Sequence, residues 1–319
     1  MRDELFAPGR FLGEGRRPPY FEGWYYRVTV PDGRAFCFIP GVCRTESGGF
    51  CFLQVLGPAG ARCLRYPLSA FSYARGRAFF RVGNSAFDEH GFRIDAEGAR
   101  GEAEFREPVP YPASLLSPGI MGPFSYLPVM ECRHAVLCVR SGLAGRLEIS
   151  GERVQLSGGV GYVEKDWGGA FPNPYLWAQC GNFAGERDAV FFLSAARVPV
   201  LGRPMRGLIA FLYRGGRFWR FTTYLGARVE SIAQAGPEGE VRVELRSPHF
   251  SLMARLTPGR GFELAAPGPG GMERRVTESA AGVYVELRRN GPGGGPLFEG
   301  RGEGAMELTG EIGALRAGR

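Results

Sequence analysis

One short segment concentrates acidic, basic and aromatic side chains in successive positions. In residues 161–172, which read Gly-Tyr-Val-Glu-Lys-Asp-Trp-Gly-Gly-Ala-Phe-Pro, Lys165 lies between Glu164 and Asp166 and is followed by Trp167. Every other basic residue of the chain, apart from the three histidines, is an arginine. Because a compact ammonium group is not equivalent to a guanidinium in a bonded cluster, this lysine indicates either a site that tunes proton transfer or a structural ion pair at a turn.

Two other segments each place a carboxylate among aromatic side chains. Residues 19–26 read Pro-Tyr-Phe-Glu-Gly-Trp-Tyr-Tyr and contain Glu22, and residues 119–134 contain Glu131 and end at His134. A carboxyl group with large apolar neighbours can have a raised pKa and keep its proton near neutrality, as a general acid requires. The alternative for each glutamate is a carboxylate hydrogen-bonded to the backbone, and for His134 a satisfied position in the core.

The common signatures of nucleotide, serine-hydrolase and zinc chemistry are absent from the sequence. There is no GxGxxG, P-loop, GxSxG or HExxH pattern. The three histidines, His90, His134 and His249, are far apart and have no cysteine or carboxylate at metal-ligand spacing. We therefore expect neither a metal site nor a cofactor.

Composition places the chain among folded, β-rich proteins. Hydrophobic residues make up 44% of the 319 residues and charged residues 22%, so the chain can bury real cores. Its 50 glycines and 24 prolines follow no repeat and make long helices hard to place. The net charge of +7 comes from scattered arginines rather than from a localised basic patch. Nucleic acid is therefore not an expected partner.

The cysteines and the apolar runs predict a reducing location without a membrane span. The seven cysteines are odd in number, form no CxxC pair and mostly lie in apolar runs, so we expect reduced core residues. The first 17 residues contain no apolar segment of signal-peptide length, and no 18-residue apolar run occurs anywhere. A cytoplasmic location is expected, with peripheral contact to a membrane left open. The oligomeric state is also open.

Short apolar or alternating runs bounded by turn residues predict strands along the whole chain. The clearest hairpin joins residues 24–30 to 34–39 through Asp32-Gly33, which supplies the turn. About eighteen strands are too many for one ordinary sheet, so two tandem β-barrels or strongly curved sandwiches are expected. We place the domain boundary at Gly158-Gly159, giving domains 1–158 and 159–319. The proline-rich segment from Pro108 to Pro128 is expected to be an extended loop, acting as a lid or strap.

Three blocks of sequence resemble the tocopherol cyclase family. They read PYFEGWYYRV (19–28), MGPFSYLPVMECRH (121–134) and GYVEKDWGGAFPNPYLWAQCGNF (161–183), and their order and spacing extend over most of the chain. The resemblance implies an all-β fold of two tandem lipocalin-like β-barrels, in an arrangement similar to AttH and carotenoid hydratase-like proteins. It also implies closure of a prenylated hydroquinone, or a related isoprenoid alkene, to a chromanol-type product without a cofactor.

Such a ring closure defines what the site residues must do. A proton must reach a trisubstituted alkene, a tertiary carbocation must be stabilised briefly, and a phenolic oxygen must attack it. We expect the acid to be Asp166 or Glu164, with Lys165 setting the local charge. The rings expected to face the cation, unless they pack in the core, are those of Trp24, Trp167, Tyr175 and Trp177. The side chains expected to orient the head group are Glu22, Tyr25, Glu131, His134, Gln179 and Asn182.

Two other functions remain open at this stage. A lipocalin-like carrier would hold a prenyl lipid or another apolar small molecule in the same pocket without turnover. Because a carrier needs apolar volume but few ionisable groups, the acids clustered around Lys165 favour an enzyme. An isoprenoid hydratase would use the same protonation step with water as the trap, in a water-accessible polar pocket.

Overall fold

β-strands form nearly all of the regular structure. The computed structural model describes residues 2–200, 203–236 and 239–316. Its helical elements are α1 (Arg2–Phe6) and four short 3-10 turns, Leu68–Ala70, Gly122–Tyr126, Thr223–Leu225 and Ile312–Leu315. The predicted all-β class is confirmed. With five residues, the longest α-helix of the described part is far too short to span a bilayer.

The strands form two antiparallel sheets. The first sheet contains β1 (Tyr20–Thr29), β2 (Ala35–Thr45), β3 (Gly48–Gly57), β4 (Gly60–Pro67), β5 (Phe71–Tyr73), β6 (Phe79–Val82), β7 (Ser85–Asp88), β8 (Gly91–Ala96), β9 (Ala99–Val109), β10 (Cys132–Ile149), β11 (Glu152–Gln155) and β12 (Val160–Gly168). The second contains β13 (Tyr175–Cys180), β14 (Val190–Val200), β15 (Arg203–Arg214), β16 (Arg217–Thr222), β17 (Arg228–Gln234), β18 (Val241–Arg246), β19 (Phe250–Gly268), β20 (Gly271–Arg289) and β21 (Pro296–Thr309).

In each sheet, one strand pairs on its two sides with strands that are far apart from each other in the sequence. The order in the first sheet is β4-β3-β2-β1-β12-β10-β9-β8-β7-β6-β5, with β11 paired to β10. The order in the second is β16-β15-β14-β13-β21-β20-β19-β18-β17. The last strand of the first sheet, β12, therefore lies between β1 and β10 and bonds to both.

The chain divides into two compact units that differ from the predicted domains. Unit 1 comprises Met1–Phe171 and Leu264–Arg275, and unit 2 comprises Pro172–Glu263 and Val276–Arg319. The predicted boundary at residues 158–159 falls before β12, which pairs within the first sheet. Unit 1 also includes residues 264–275, where the Gln54 side chain is hydrogen-bonded to both the backbone N–H and the carbonyl of Ala265.

The interior of unit 1 is filled by aromatic side chains. Trp24 stacks on Phe80 with ring centroids 4.0 Å apart, and Phe80 stacks in turn on Phe87 at 5.3 Å. Tyr26 and Phe92 extend the same cluster. Rings of this size pack to the density of a protein core, so this cluster leaves no space for a ligand between its own members.

Unit 2 has its own core, and β13 shows how alternation divides its residues. Leu176, Ala178 and Cys180 are fully buried within the core cluster. The alternate residues of β13, including Trp177 and Gln179, lie on the opposite face of the sheet. All seven cysteines are free; five are buried, whereas Cys132 is half-buried and Cys63 is exposed.

Most of the loop predicted between Pro108 and Pro128 lies between β9 and β10, whereas its first two residues belong to β9. From residue 110 to residue 131 it contains one 3-10 turn, Gly122–Tyr126, and a bridge between Ser114 and Ser117. It leads directly into the start of β10.

Candidate functional site

The three blocks of dense chemistry meet because β1, β12 and β10 are neighbours. Asp166 on β12 pairs with Gly23 on β1 and with His134 on β10. Successive side chains of a strand point to opposite faces of the sheet, so the Glu-Lys-Asp-Trp sequence is divided. Glu164 and Asp166 lie on one face of the sheet. We call this face, with Tyr162, His134 and Tyr25, the acid face. Lys165 belongs to the lysine face, which consists of Glu22, Trp24, Lys165 and Trp167.

On the lysine face, the Lys165 ammonium group meets three oxygen atoms. Its Nζ lies 2.5 Å from Glu22 Oε1 and donates to the carbonyls of Pro8 at 2.6 Å and Arg10 at 2.7 Å. The Lys165 and Glu22 side chains are both fully buried. An ammonium group has three N–H donors, and here three oxygens accept them. This geometry explains why a lysine stands here in a chain that otherwise uses arginine.

The lysine face also holds residues 8–12 against the sheet. Glu22 accepts hydrogen bonds from the Leu12 backbone N–H at 2.9 Å and from the Tyr20 hydroxyl at 2.7 Å. The Trp24 indole N–H donates to the carbonyl of Gly9 at 3.0 Å. We call residues 8–12 the N-terminal strap. Burial lowers the pKa of Lys165, and the charge and hydrogen bond of Glu22 act against that shift.

Four residues expected at the substrate are therefore placed in this buried network. The rings of Trp24 and Trp167 lie 4.6 Å and 5.1 Å from Lys165 Nζ, so the cation they face is the protein's own ammonium. Glu22 is the partner of that ammonium. The expectation that Lys165 sets the charge beside the acids does not fit, because the pleat directs it to the other face of β12.

On the acid face, an imidazole lies between two carboxylates. His134 Nδ1 is 2.9 Å from Asp166 Oδ1, and His134 Nε2 is 3.9 Å from Glu164 Oε2. The Tyr162 hydroxyl donates to Glu164 Oε2 at 2.5 Å. The Glu164 side chain is 5% exposed, that of His134 12% and that of Asp166 23%. The cluster therefore runs from a buried glutamate to a partly accessible aspartate.

The two carboxylates favour the protonated form of His134. Burial alone would lower the pKa of His134, but the charge of Asp166, its hydrogen bond and the charge of Glu164 outweigh burial and raise that pKa above its ordinary value of 6.5. Burial, followed by the charge of Glu164 and the hydrogen bond to it, raises the pKa of Tyr162 well above its usual range. Tyr162 is thus a hydrogen-bond donor, whereas His134 can carry an exchangeable proton.

β1 contributes a gap and a polar group to the acid face. Gly23 lies directly opposite Asp166, and a Cβ atom added there would come no closer than 3.9 Å to the Phe52 ring and the Pro40 carbonyl oxygen. Tyr25, opposite Glu164, has its hydroxyl 3.0 Å from Cys37 Sγ. The missing side chain at position 23 therefore leaves room for a methyl-sized group beside Asp166.

The loop before β10 is fixed directly beside His134. The His134 backbone N–H contacts Met121 Sδ at 3.1 Å. The guanidinium of Arg133 donates to the carbonyls of Ser125 at 2.8 Å and Leu127 at 2.6 Å. Glu131, expected among aromatic side chains, is instead exposed, because it lies in the loop before β10 begins.

The remaining predicted residues belong to unit 2. Tyr175, Trp177 and Gln179 are buried on one face of β13, and the Tyr175 hydroxyl donates to Glu307 Oε2 at 2.5 Å. Asn182 follows the strand, and its carbonyl accepts a hydrogen bond from the Glu303 backbone N–H at 3.2 Å. The acid face lies entirely in unit 1.

Sequence reasoning missed two residues that contact predicted site residues, Tyr162 in unit 1 and Glu307 in unit 2. Tyr162 is two positions before Glu164 and therefore on the same face of β12. The period of two would have found it once β12 was recognised as a strand. Glu307 is paired with Trp177 across two strands that are more than a hundred residues apart, and no local pattern indicates it.

The acid face could also hold a metal ion. His134, Glu164 and Asp166 each offer one ligand atom, and these atoms lie within 4.8 Å of one another. Imidazole nitrogens and carboxylate oxygens are common ligands of zinc and other divalent ions. The histidine spacing in the sequence missed this set because it is assembled from two strands.

Comparisons with known proteins identify the family of this chain. A family described as tocopherol cyclase-like matches residues 111–311. A probable tocopherol cyclase of rice chloroplasts is 23% identical over 379 aligned positions, which cover 96% of this chain and 76% of the rice protein. A chloroplast tocopherol cyclase of maize is 24% identical over 276 positions, which cover 67% of this chain and 57% of the maize protein. The chain therefore spans little more than half of the maize protein.

One solved structure is similar over nearly the whole chain. A protein described as an AttH from Nitrosomonas europaea, determined at 2.00 Å resolution, aligns with a TM-score of 0.55 and 14% sequence identity. The alignment covers 91% of this chain and 92% of that protein. It confirms the expected lipocalin-like, all-β fold.

Proposed function

We propose, because the chain belongs to the tocopherol cyclase-like family, that it is an acid-catalysed cyclase acting on a prenylated hydroquinone or a related isoprenoid alkene. The observation that carries the proposal is the acid face, where a proton-bearing imidazole lies between Asp166 and Glu164. A small hydrophobic substrate with a phenolic head group fits such a site, because only the head group needs polar partners.

The first proposed step transfers a proton to the alkene of the substrate. Asp166 is the more accessible of the two acids, and it shares a proton with His134 Nδ1 across 2.9 Å. Delivery of that proton through Asp166 to one alkene carbon forms a C–H bond and leaves a tertiary carbocation on the other carbon. The raised pKa of His134 keeps this proton available near neutrality.

The second proposed step closes the ring and restores the proton. The phenolic oxygen attacks the carbocation, a C–O bond forms, and the phenolic proton passes to the Asp166 carboxylate, which gave up the first proton. Asp166 then shares that proton with His134 Nδ1 at 2.9 Å, and His134 Nε2 keeps its own proton towards the Glu164 carboxylate at 3.9 Å. No atom is gained or lost, so the reaction is an isomerisation in which the proton returns to Asp166 and His134. Tyr162 orients Glu164 by its hydrogen bond.

The space beside Asp166 supports a bound alkene. Gly23 presents no side chain opposite Asp166, so a flat hydrocarbon can approach the carboxyl group there. The interior of unit 1 is packed with its own rings. For this unit, that packing weighs against a carrier that encloses its ligand in the barrel.

The decisive experiment measures turnover by wild-type protein and two acid variants. Purified protein is incubated with a panel of prenylated hydroquinones, and products are identified by mass spectrometry. We expect a product of unchanged mass from the wild type, and its loss in Asp166→Asn and Glu164→Gln. Glu89→Gln is the matched control, because this glutamate lies in the turn between β7 and β8 and its side chain is 70% exposed.

The other two functions give different results in the same experiment. A carrier would release an unchanged lipid on extraction and convert no quinol, which would reject the cyclase. A hydratase would give a product 18 mass units heavier, because water would trap the cation in place of the phenol. Equal activity of the wild type and both acid variants would reject the proposed roles of Asp166 and Glu164.

A further inference from the structure

A tight turn in the loop before β10 exposes two adjacent leucines. Leu115 is 76% exposed and Leu116 is 85% exposed. They occupy the two central positions of a turn in which the backbones of Ser114 and Ser117 exchange hydrogen bonds of 2.9 Å and 3.1 Å. Tyr126 and Val129, from the same loop, are also large and exposed. Scattered single apolar residues are normal at a surface, whereas a paired leucine tip supplemented by neighbours from one loop is not.

The loop is also free of charge. No Asp, Glu, Lys, Arg or His occurs in the 23 residues from 108 to 130, in a chain where charged residues make up 22%. A surface that binds an acidic or basic partner would carry complementary charges. This loop offers leucine side chains and the phenol ring of Tyr126, a combination suited to the boundary between water and hydrocarbon.

Hydrogen bonds hold this tip in a defined conformation. The Tyr126 hydroxyl donates to the Leu115 carbonyl, and the Ser125 hydroxyl donates to the Pro118 carbonyl at 3.1 Å. Arg133 then fixes the returning half of the loop through Ser125 and Leu127. The leucines are therefore presented by an ordered turn, and their insertion into a lipid phase does not require the loop to fold first.

We propose that this turn docks the protein on the surface of a neutral lipid phase, with Leu115 and Leu116 inserted among the lipid chains and Tyr126 at the interface. The partner is a zwitterionic or uncharged lipid surface, because the loop has no lysine or arginine to bind anionic headgroups.

The same loop connects the docking tip to the acid face. Ile120 and Met121 are buried, and Met121 Sδ contacts the backbone of His134. A prenylated substrate dissolved in lipid would therefore leave the lipid phase close to His134. This delivery role rests on the proposed function, whereas docking itself does not.

The test measures binding to phosphatidylcholine vesicles by co-sedimentation. We compare the wild type, the double variant Leu115→Ser with Leu116→Ser, and Leu225→Ser, in which a 44% exposed leucine of unit 2 is changed in the same way. We expect the double variant to bind at least about tenfold more weakly, because two leucine side chains inserted in the lipid are lost. Leu225→Ser should bind like the wild type. The difference in binding between the wild type and the double variant should not depend on anionic lipid or on salt.

A second variant reports insertion directly. Leu116→Trp places an indole at the tip, and its fluorescence should shift to shorter wavelength when vesicles are added. The inference would be overturned by an unshifted spectrum or by a wild type that does not bind. It would also be overturned if the double variant bound as well as the wild type, if Leu225→Ser lost binding equally, or if binding required anionic lipid.

Activity separates this inference from the proposed function. With a short-chain hydroquinone in solution and no vesicles, the double leucine variant should turn over substrate at the wild-type rate. If the wild type binds vesicles but converts no quinol, the cyclase proposal fails and docking stands. If it converts the soluble quinol but does not bind vesicles, docking fails and the cyclase proposal stands.

Discussion

On the lysine face, the ammonium of Lys165 has three oxygen partners at 2.5–2.7 Å, and its counter-ion Glu22 accepts further hydrogen bonds from the strap and from Tyr20. On the acid face, His134 is close to Asp166 at 2.9 Å and farther from Glu164 at 3.9 Å. Both faces are built on β1 and β12, and β10 adds His134 to the second. The charge of Lys165 is held in place by its three partners. His134, in contrast, has two carboxylate neighbours at unequal distances, and its side chain is partly exposed.

The difference shows what separates a structural ionic group from a reactive one. A fully buried ion pair whose donors are all hydrogen-bonded offers a substrate no accessible atom. Its bonds offset the cost of desolvation only while every one of them is intact. A partly exposed group beside two carboxylates can exchange its proton with a substrate.

The largest effect is expected from Lys165→Met on stability. It removes the buried ammonium and leaves the Glu22 carboxylate unpaired, which should lower the free energy of unfolding by about 3–5 kcal/mol. Denaturant titration measures the loss. Adding Glu22→Gln to Lys165→Met should recover part of it, because no buried charge is then left alone. A single variant as stable as the wild type would contradict the structural role of the lysine face.

A large effect on rate, with little change in fold, is expected from His134→Gln. Removing the group that shares the proton with Asp166 should lower kcat by about 10²-fold or more, the usual size of a general acid–base contribution. Steady-state kinetics and circular dichroism measure the two quantities on the same preparation. A variant that keeps wild-type kcat would show that His134 is a core residue, as the alternative interpretation of the sequence has it.

The pH dependence should follow the raised pKa of His134. A pKa raised above 6.5 in the folded state means that the protonated His134 stabilises the fold fully below about pH 6.5, and that this contribution is lost as pH rises through the folded value. The rate should also fall as pH rises through that value. In Asp166→Asn, which should be inactive, the pKa of His134 followed by NMR should be lower than in the wild type, because the main charge that raises this pKa is removed. A pH-independent wild-type rate would contradict this assignment.

A smaller effect is expected from filling the gap beside Asp166. Gly23→Val should raise KM about tenfold, because a branched side chain would occupy the space proposed for the alkene, and Gly23→Ala should act less. Valine is well tolerated in strands, so the unfolding midpoint should change little. Kinetics and thermal unfolding on both variants provide the check. Unchanged KM in Gly23→Val would place the substrate elsewhere.

The smallest effect is expected from metal removal. Because the proposed proton path uses only His134, Asp166 and Glu164, incubation with a chelator should leave kcat within error of the untreated enzyme. Metal content is measured on the same sample. Loss of activity that returns with one divalent ion would instead assign these three side chains as ligands.

Much of the strand pattern was accessible from the sequence, but the strand that carries the site was not. The hairpin predicted at 24–30 and 34–39 is present as β1 and β2. Residues 161–172 were interpreted as a motif rather than as a strand. Glu, Lys and Asp have low β-propensity, and only pairing on both sides of β12 overrides that preference. Without β12, the alternation that separates Lys165 from the acids could not be applied.

The partners within the site depend on contacts between distant residues. His134 and Asp166 are 32 residues apart, and Lys165 meets Pro8 across 157 residues. No local period encodes such pairs, because they follow from the order of strands in the sheet. The resemblance to a family brought the correct blocks together but could not show which side of the sheet each side chain occupies.

The place of β12 between β1 and β10 also bears on how the protein folds. β1 and β10 are adjacent to β12 and cannot complete the first sheet before residue 168 is available, although β1 is synthesised more than a hundred residues earlier. Until then the strap has no ammonium to bind, and two strand edges stay open. Closure of long loops is slow, and unpaired edges invite association with other chains. A chain that ends before β12 would therefore be prone to aggregation during synthesis, and the acid face would be among the last parts of unit 1 to form.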